Sequence, residues 1–292
     1  MQKPQTWTVL DALQWTAGYF SSRRIDSPRL TAELLLAEVL KTGRIDLYLR
    51  HDQPLSPDEL AAYRELIRRR AKREPVAYIL EKTEFWGLPF YVTPDVLIPR
   101  PETEHLVEAA FDRLQADAGG RKRIADLGTG SGAVAVSLAS SMPDHHYFAV
   151  DRSYPALCLA RKNAELNRVS ESISFMAGIW LEPFAAKGGV FDMIVSNPPY
   201  VASGELSGLQ PEISRYEPRL ALDGKEDGLA EIRSIAFSAP SRLSSGGHLF
   251  IEIGCDQKEA VFDVLSGTGA FEDITVFKDY SGHDRVAAAR RT

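Results

Sequence analysis

Two adjacent prolines follow an apolar run in the second half of the chain. The segment "FDMIVSNPPY" (191–200) has the composition of a buried strand that leads into Asn197, Pro198, Pro199 and Tyr200. Two prolines in a row fix two φ angles and remove two backbone donors, so they make a stiff turn of preset shape. Such a turn can be plain architecture, or it can aim the groups around it.

A glycine-rich turn follows an earlier strand, "RIADLG" (123–128). Its glycines allow backbone to come close to a ligand, and Asp151 ends the next strand, where it could accept both hydroxyls of a ribose. A purely structural glycine turn is the alternative. The pattern predicts a nucleotide pocket, whose contacts we expect at Asp126, Gly128, Thr129, Gly130, Ser131, Gly132 and Asp151.

Two cofactors remain compatible with this turn. Together with Ala133, the glycines satisfy the dinucleotide pattern, so NAD stays open. Asp126 favours S-adenosylmethionine, because a carboxylate buried before the glycines would repel a pyrophosphate but could serve the ammonium group of methionine, directly or through water. The alternative role for Asp126 is structural, as a carboxylate that ties down the loop.

The two features should meet in space. In a doubly wound sheet, ligands bind at the carboxyl ends of the strands where the strand order reverses, and the strands at 123–128 and 191–196 would flank that point. The Asn197 oxygen and the Pro198 carbonyl could then each accept one N–H of an –NH₂ group, orient the nitrogen and stabilise its developing positive charge. Tyr200 would pack on the flat face of the substrate. We therefore predict Asn197, Pro198 and Tyr200 as catalytic residues in the methylation of a planar nitrogen.

The elements that position these residues divide the chain into two parts. Residues 1–83 are helical in pattern, and both Ser27-Pro28 and Ser56-Pro57 have the sequence of a capped helix start. The basic run from Arg68 to Arg73 is interpreted as a solvated helix end rather than a nucleic-acid patch. Aromatic and β-branched residues at 84–98 predict a hairpin linker. Strands and helices then alternate over 99–292, which predicts an α/β domain with a mostly parallel sheet.

Composition excludes several classes of protein. The net charge of −6 argues against a large nucleic-acid footprint, which is normally basic. Neither the two cysteines nor the six histidines show metal-ligand spacing, so no metal is expected. No signal peptide is indicated, and no apolar run approaches the roughly 18 residues of a membrane span, so a cytoplasmic protein without membrane contact is expected.

Longer motifs narrow the function. The combination of "DLGTGSG", a distant Asp and "NPPY" resembles class I S-adenosylmethionine-dependent methyltransferases that modify exocyclic or amide nitrogens. The segments at 73–104, 216–229 ("YEPRLALDGKEDGL") and 279–290 ("DYSGHDRVAAAR") are similar to the HemK/PrmC family, from about residue 27 to the C-terminus. Members of that family are protein-(glutamine-N5) methyltransferases acting on the Gly-Gly-Gln motif of class I peptide-chain release factors.

The resemblance implies a seven-stranded Rossmann-like catalytic domain, an N-terminal helical domain, and a hairpin between them. Because the helical domain lies outside the cofactor fold, we expect it to recognise the substrate. It also implies cofactor contacts from Trp180 and Asn197, and a substrate site formed by Asn197, Pro198, Pro199, Tyr200, Arg100 and Pro101. For Arg100-Pro101, helix initiation is the alternative role. The sequence departs from the family pattern at Glu81, Ile179 and His283, and Ile179 leaves a buried structural tryptophan as the alternative for Trp180.

Other functions stay open on the sequence. The nearest alternative is a glutamine methyltransferase acting on a ribosomal protein. An adenine-N6 nucleic-acid methyltransferase shares the chemistry but would need a recognition domain and a basic face. A non-catalytic release-factor or RNA-binding module and a nicotinamide-dependent oxidoreductase complete the set. We expect a monomeric enzyme with release factors as protein partners and no direct nucleic-acid substrate.

Overall fold

The structure of the protein is a computed structural model that describes residues 7–117, 119–186 and 189–292. The chain forms two compact units. The first contains Met1–Glu81 together with Pro211–Tyr216, and the second contains Lys82–Gln210 and Glu217–Thr292.

The described part of the first unit is mainly helical, and helices form the outer layers of the second. Their bounds are α1 Val9–Ser22, α2 Pro28–Leu40, α3 Arg44–Leu49, α4 Pro57–Ala71, α5 Val76–Leu80, α6 Glu104–Ala116, α7 Ala133–Ser141, α8 Tyr154–Leu166, α9 Pro211–Tyr216, α10 Ala230–Ser238 and α11 Lys258–Gly267. The strands are β1 Lys82–Phe85, β2 Leu88–Tyr91, β3 Arg123–Leu127, β4 His146–Asp151, β5 Ile173–Ala177, β6 Phe191–Ser196, β7 Leu243–Glu252, β8 Phe271–Lys278 and β9 Asp284–Arg291.

The two predicted helix starts of the first unit differ. At α4 the Ser56 hydroxyl accepts the Glu59 N–H at 3.2 Å and the Glu59 carboxylate accepts the Ser56 N–H at 2.7 Å, a complete capping box. The predicted cap at Ser27 is wrong in its chemistry. Ser27 has a φ of 46° and its side chain makes no capping bond, so Pro28 alone marks the start of α2.

Three arginines of the basic run at the end of α4 are ion-paired rather than solvated, which corrects the sequence interpretation in part. Arg70 is only 5% exposed. Its guanidinium lies 2.8 Å from Glu212 of α9, and Arg73 lies 3.0 Å from the same carboxylate. Arg69 pairs with Glu74. Because α9 is distant in sequence, local pattern gave no sign of these partners.

The second unit begins with an antiparallel hairpin, β1–β2, that turns at Trp86 and Gly87. Predicted at 84–98, the hairpin therefore starts two residues earlier and ends at Tyr91. Asn163 of α8 holds its second strand, because the Asn163 side chain accepts the Tyr91 N–H at 2.7 Å and donates to the Tyr91 carbonyl at 3.0 Å.

A seven-stranded sheet forms the centre of the second unit, in the order β5-β4-β3-β6-β7-β9-β8. The neighbours from β5 to β7 pair in parallel, and β9 is antiparallel to both β7 and β8. Strands such as β6 are apolar on both faces because helices cover both sides of the sheet. The predicted α/β fold with a mostly parallel seven-stranded sheet is confirmed.

Candidate active site

The glycine turn and the proline turn leave neighbouring strands at the same edge of the sheet. Leu127, the last residue of β3, pairs with Ser196, the last residue of β6. The Ser196 hydroxyl donates to the Leu127 carbonyl at 2.7 Å, which ties the two strand ends together. The strand order reverses between these strands, so the predicted position of the site at the switch point agrees with the topology.

The glycine turn is fastened to β4 before it enters α7. The Gly128 and Thr129 N–H groups both donate to the Val150 carbonyl, at 2.8 and 3.0 Å. Gly128 has a φ of 73°, and a Cβ added there would lie 3.0 Å from the Trp180 ring. Glycine is therefore required at this position by both the backbone conformation and the neighbouring ring.

Asp126 lies at the base of the turn and is 2% exposed. One of its oxygens accepts the Thr129 hydroxyl at 2.6 Å and the Ala135 N–H at 3.1 Å, so the carboxylate ties down the loop. Burial raises the pKa of Asp126 to about 6, and the negative charge of Asp151 adds to this. Asp126 also lines the cavity beside the turn, and a contact with the ammonium of methionine stays a prediction.

Asp151 ends β4 beside the same cavity. Its two carboxylate oxygens accept backbone N–H groups from Gly130 and Ser153, each at 2.8 Å. Burial raises the pKa of Asp151, although these bonds oppose the shift. Since each carboxylate oxygen has two lone pairs, Asp151 keeps acceptor capacity for ribose hydroxyls.

Trp180 covers the glycine turn. Its indole N–H donates to Glu231 of α10 at 2.8 Å, which fixes the ring. Trp180, Glu231 and Ile179 all line the cavity, and Ile179 is also 41% exposed to solvent. The geometry places Trp180 beside the glycine turn, and its contact with a cofactor stays a prediction.

Asn197 is held in one orientation at the end of β6. Its Nδ2 donates to the Thr103 hydroxyl at 3.1 Å. Among the described residues no hydrogen bond reaches Asn197 Oδ1 or the Pro198 carbonyl, so both acceptors of this turn are unused. Asn197 and Pro199 line the cavity, while Pro198 is buried behind them.

Tyr200 is fixed from the side away from the cavity. Its hydroxyl donates to Glu252 Oε1 at 3.3 Å, and its carbonyl accepts the side-chain N–H of Gln257 at 3.0 Å. Burial raises the pKa of Tyr200, and the carboxylate of Glu252 adds to this. The cavity lining does not include Tyr200, and its stacking on the substrate stays a prediction.

A return loop supports the proline turn from behind. Val201 N–H donates to Leu222 and Gly224 N–H donates to Val201, which pairs the two chain segments. Gly228 has a φ of 74°, and a Cβ there would overlap the Tyr200 carbonyl oxygen. The motif "YEPRLALDGKEDGL" therefore has a physical role that sequence reasoning did not find: its glycines let this loop lie against the "NPPY" backbone.

Arg100 lines the cavity but already has a partner. It forms an ion pair with the buried carboxylate of Glu217, which also accepts the Ile98 N–H at 3.3 Å. Pro101 starts a short 3₁₀ turn, Pro101–Thr103, that leads into α6 and carries Thr103 to Asn197. Arg100 is thus part of the cavity wall, whereas Pro101 starts the turn next to it, and substrate contact stays a prediction for each.

The cavity has a volume of about 300 Å³ and joins most of the predicted residues. Its lining includes Arg100, Asp126, Gly128, Thr129, Ser131, Asp151, Trp180, Asn197 and Pro199. It does not include Gly130, Gly132, Pro101, Pro198 or Tyr200. Residues missed from sequence that line it include Thr103, Pro218, Leu220, Ala221 and Glu231.

Glu252 is the missed residue with the clearest signal. It stands at the end of β7 within the apolar run "HLFIEI" (248–253), where a buried parallel strand has no reason to carry a charge. A carboxylate in such a strand indicates a specific partner.

This chain matches two protein-family models and several known proteins, some of them over nearly its full length. The PrmC N-terminal domain matches residues 11–80, and the methyltransferase small domain matches residues 105–211. A release factor glutamine methyltransferase of Geobacter sulfurreducens is 45% identical over 289 residues, covering 99% of each chain. The chain belongs to the release factor glutamine methyltransferase family. A second family member, from Chlorobaculum tepidum, is 44% identical over 98% of each chain.

A solved structure agrees on the fold. The T. thermophilus 16S rRNA N2 G1207 methyltransferase, in complex with AdoMet and guanosine, is 20% identical with a TM-score of 0.51 and covers 72% of this chain and 50% of that one. This likeness shows the fold alone. Membership of the release factor glutamine methyltransferase family confirms the predicted resemblance, the methyltransferase activity and S-adenosylmethionine as cofactor rather than NAD. Among the described residues, no helix combines the length and apolar character of a membrane span.

Proposed function

We propose that the protein transfers a methyl group to the side-chain nitrogen, N5, of the glutamine in the Gly-Gly-Gln motif of class I peptide-chain release factors. The relatives from Geobacter sulfurreducens and Chlorobaculum tepidum bear the name release factor glutamine methyltransferase. The near full-length match supports the same substrate here. We further propose that the protein works in the cytoplasm, with its translation-factor substrate, as a monomer.

The orientation of Asn197 is the observation that carries this proposal. Because Nδ2 is held by Thr103, the oxygen Oδ1 is left as the acceptor at the cavity. A primary amide offers two N–H donors, and Asn197 Oδ1 with the Pro198 carbonyl offers two acceptors on adjacent residues of a rigid turn. An Asn197 side chain held the other way would present donors and would repel the same substrate.

The residues around the glycine turn fit the cofactor of the family. Asp151 would bind the ribose hydroxyls, the glycine turn would accept close approach of the ligand, and Trp180 would cover it. S-adenosylmethionine, when bound, supplies an electrophilic methyl group. The buried Asp126 keeps the turn in shape and lies on the cavity wall, where it could receive the ammonium group.

The protein's part in the transfer is orientation and electrostatic stabilisation. An amide nitrogen is a poor nucleophile because its lone pair is delocalised. Hydrogen bonds to Asn197 Oδ1 and to the Pro198 carbonyl would hold the two N–H groups and stabilise positive charge as it develops on the nitrogen. No strong base is required, since the N–H becomes acidic as the nitrogen is alkylated.

Labelling of a purified substrate tests the proposal. The protein is incubated with S-adenosylmethionine carrying a labelled methyl group and with an unmethylated class I release factor, and the modified peptide is mapped by mass spectrometry. We expect one methyl group on the glutamine of Gly-Gly-Gln. A release factor with Asn in place of that Gln is the matched control and should stay unlabelled. Labelling of ribosomal protein or DNA, with none on the release factor, would contradict the proposed substrate.

A further inference from the structure

We propose that Glu252 and Thr103 form a positioning pair that sets which side of the Asn197 amide faces the substrate. This inference rests on the proposed function for its role in methyl transfer. Neither residue needs to touch the substrate amide or the cofactor. Both act through Asn197, and so they are positioning residues rather than catalytic ones.

Three chain segments bring the groups together. Asn197 follows β6, Glu252 ends the adjacent strand β7, and Thr103 stands in the turn that enters α6. Thr103 is 4% exposed and its hydroxyl accepts the Asn197 amide N–H. The Thr103 hydroxyl therefore has one proton left to donate. This hydroxyl lies beside the Glu252 carboxyl, whose pKa is raised by burial and lowered by Thr103.

The Glu252 carboxyl has an acceptor to spare. It is 1% exposed; Oε1 accepts the Tyr200 hydroxyl, whereas Oε2 has no hydrogen-bond partner in the described part of the chain. A buried carboxylate oxygen without a donor is costly, and proteins rarely keep one without a use. The Thr103 hydroxyl makes no hydrogen bond to Oε2 in this arrangement, and we assign its unused proton to that oxygen when the carboxyl is ionised.

The proton on Glu252 determines the direction of the chain of hydrogen bonds. When Glu252 is ionised, Thr103 donates to it and must accept from Asn197 Nδ2, which leaves Oδ1 for the substrate. When Glu252 is protonated, it can donate to Thr103, and the Thr103 hydroxyl is then free to donate to Asn197. The amide would turn, Nδ2 would face the cavity, and the acceptor for the substrate N–H would be lost.

The surroundings of Glu252 allow this change near neutral pH. Burial raises the pKa of Glu252 to about 7, while the Thr103 and Tyr200 hydroxyls and the positive charge of Arg285 lower it and the negative charge of Glu102 raises it. Arg285 of β9 is paired with Asp279 at 3.1 Å, so its charge is only partly directed to Glu252. We expect the orientation of Asn197 to change with a midpoint near pH 7.

Nuclear magnetic resonance of the Asn197 side-chain amide tests the pair without any substrate. The signal is assigned with Asn197→Asp, and its chemical shift is followed from pH 5.5 to 8.5. In the unmodified protein it should titrate with a midpoint near 7. Glu252→Gln and Thr103→Val should each abolish that titration and speed the exchange of the Asn197 side-chain amide protons. Thr103→Ser keeps the hydroxyl, so its amide signal should titrate and exchange as in the unmodified protein. A signal that does not titrate in the unmodified protein, or that still titrates in Glu252→Gln, would overturn the proposal.

Methyl transfer gives the second readout. In Glu252→Gln, kcat should fall on the order of 10²-fold at pH 8, with the affinity for S-adenosylmethionine unchanged by calorimetry. The rise of kcat through pH 7 should disappear. Thr103→Val, which is isosteric, keeps the test decisive if Glu252→Gln does not fold. Glu33→Gln, the same change at a buried glutamate of the first unit, is the control and should leave the pH profile of kcat intact.

The two proposals fail in different ways. If the release factor is not methylated but the Asn197 signal titrates and responds to Glu252→Gln, the proposed function is wrong and the positioning pair stands. If the release factor is methylated while kcat and its pH profile are the same in Glu252→Gln, the function stands and the positioning pair is wrong.

Discussion

Each unit of the protein buries one glutamate against a tyrosine hydroxyl, but the two carboxylates have opposite surroundings. In the first unit, Glu33 accepts from Arg29 at 2.7 Å, from Arg44 at 2.8 Å and from the Tyr48 hydroxyl. Burial raises the pKa of Glu33, but these donors outweigh it and the pKa lies below its ordinary value. Every oxygen of this carboxylate is used, as expected for a group that joins α2 to α3.

Glu252 in the second unit has one tyrosine, no directly paired arginine and an oxygen without a hydrogen bond among the described residues. Its pKa is raised by burial to about 7. The comparison separates two uses of the same residue. A buried carboxylate whose charge is neutralised by paired cations stabilises a fold. A buried carboxylate with too few hydrogen-bond donors destabilises the fold and is retained where its protonation serves a function.

The largest effect should come from Asn197, the residue that Glu252 is proposed to orient. Asn197→Ala removes the acceptor for the substrate N–H, and kcat should fall roughly 100- to 1,000-fold, the range seen when one preorganised hydrogen-bonding group is removed from an active site. Cofactor affinity should change little. Methyl-transfer kinetics and calorimetry measure the two quantities separately. Unchanged turnover would remove the proposed mechanism.

The next effect is on stability and has opposite signs in the two units. Because the pKa of Glu252 is raised, the folded protein binds its proton more tightly than the unfolded chain. The stability this provides is complete below the ordinary value of 4.5 and is lost as pH rises through about 7, a difference of about 3 kcal/mol. Because the pKa of Glu33 is lowered, its contribution is present above 4.5 and is lost as pH falls.

Urea unfolding from pH 2.5 to pH 8 measures this difference. Subtracting the free energy of unfolding of Glu252→Gln from that of the unmodified protein should give a curve that falls between pH 4.5 and 7. The same subtraction for Glu33→Gln should give a curve that changes below pH 4.5. If both curves had the same sign, the comparison between the two glutamates would be wrong.

Which site residues could be predicted from the sequence depends on how far apart along the chain the interacting residues lie. The glycine turn, Asp151 and the proline turn were found because each is a short motif at a strand end, and parallel strands bring such ends together. The roles of Thr103 and Glu252 were not found, since they depend on contacts with Asn197 and Tyr200 that are far apart in sequence.

The same limit applies to the basic residues. Arg70 and Arg73 had the pattern of a solvated helix end, and only the packing of α9 in the first unit reveals Glu212 as their partner. For Arg100, the family resemblance implied a substrate contact, which stays a prediction, and its pairing with Glu217 became visible only in the structure. Charged side chains therefore carry the least positional information in a single sequence, because a partner from any distance satisfies them.

Asp151 should have a smaller effect than Asn197, and on a different quantity. Asp151→Ala removes two proposed charge-assisted hydrogen bonds to ribose and should weaken cofactor binding roughly 10- to 100-fold. Calorimetry with S-adenosylmethionine measures the change, and kcat at saturating cofactor should fall much less than in Asn197→Ala. Asp112→Ala, at an exposed position on α6, is a control that should bind the cofactor normally. Full affinity in Asp151→Ala would contradict its assigned role.

The smallest effect compares two serines of the first unit that share one sequence pattern. Both Ser27 and Ser56 precede a proline at a helix start, but only Ser56 accepts a hydrogen bond from its helix, at 3.2 Å from the Glu59 nitrogen. Ser56→Ala should therefore lower the free energy of unfolding by about 1 kcal/mol, whereas Ser27→Ala should change it by only about 0.3 kcal/mol. Hydrogen exchange at the first turn of α4 would locate the loss. Equal effects of the two substitutions would mean that the proline, rather than the hydroxyl, determines where these helices begin.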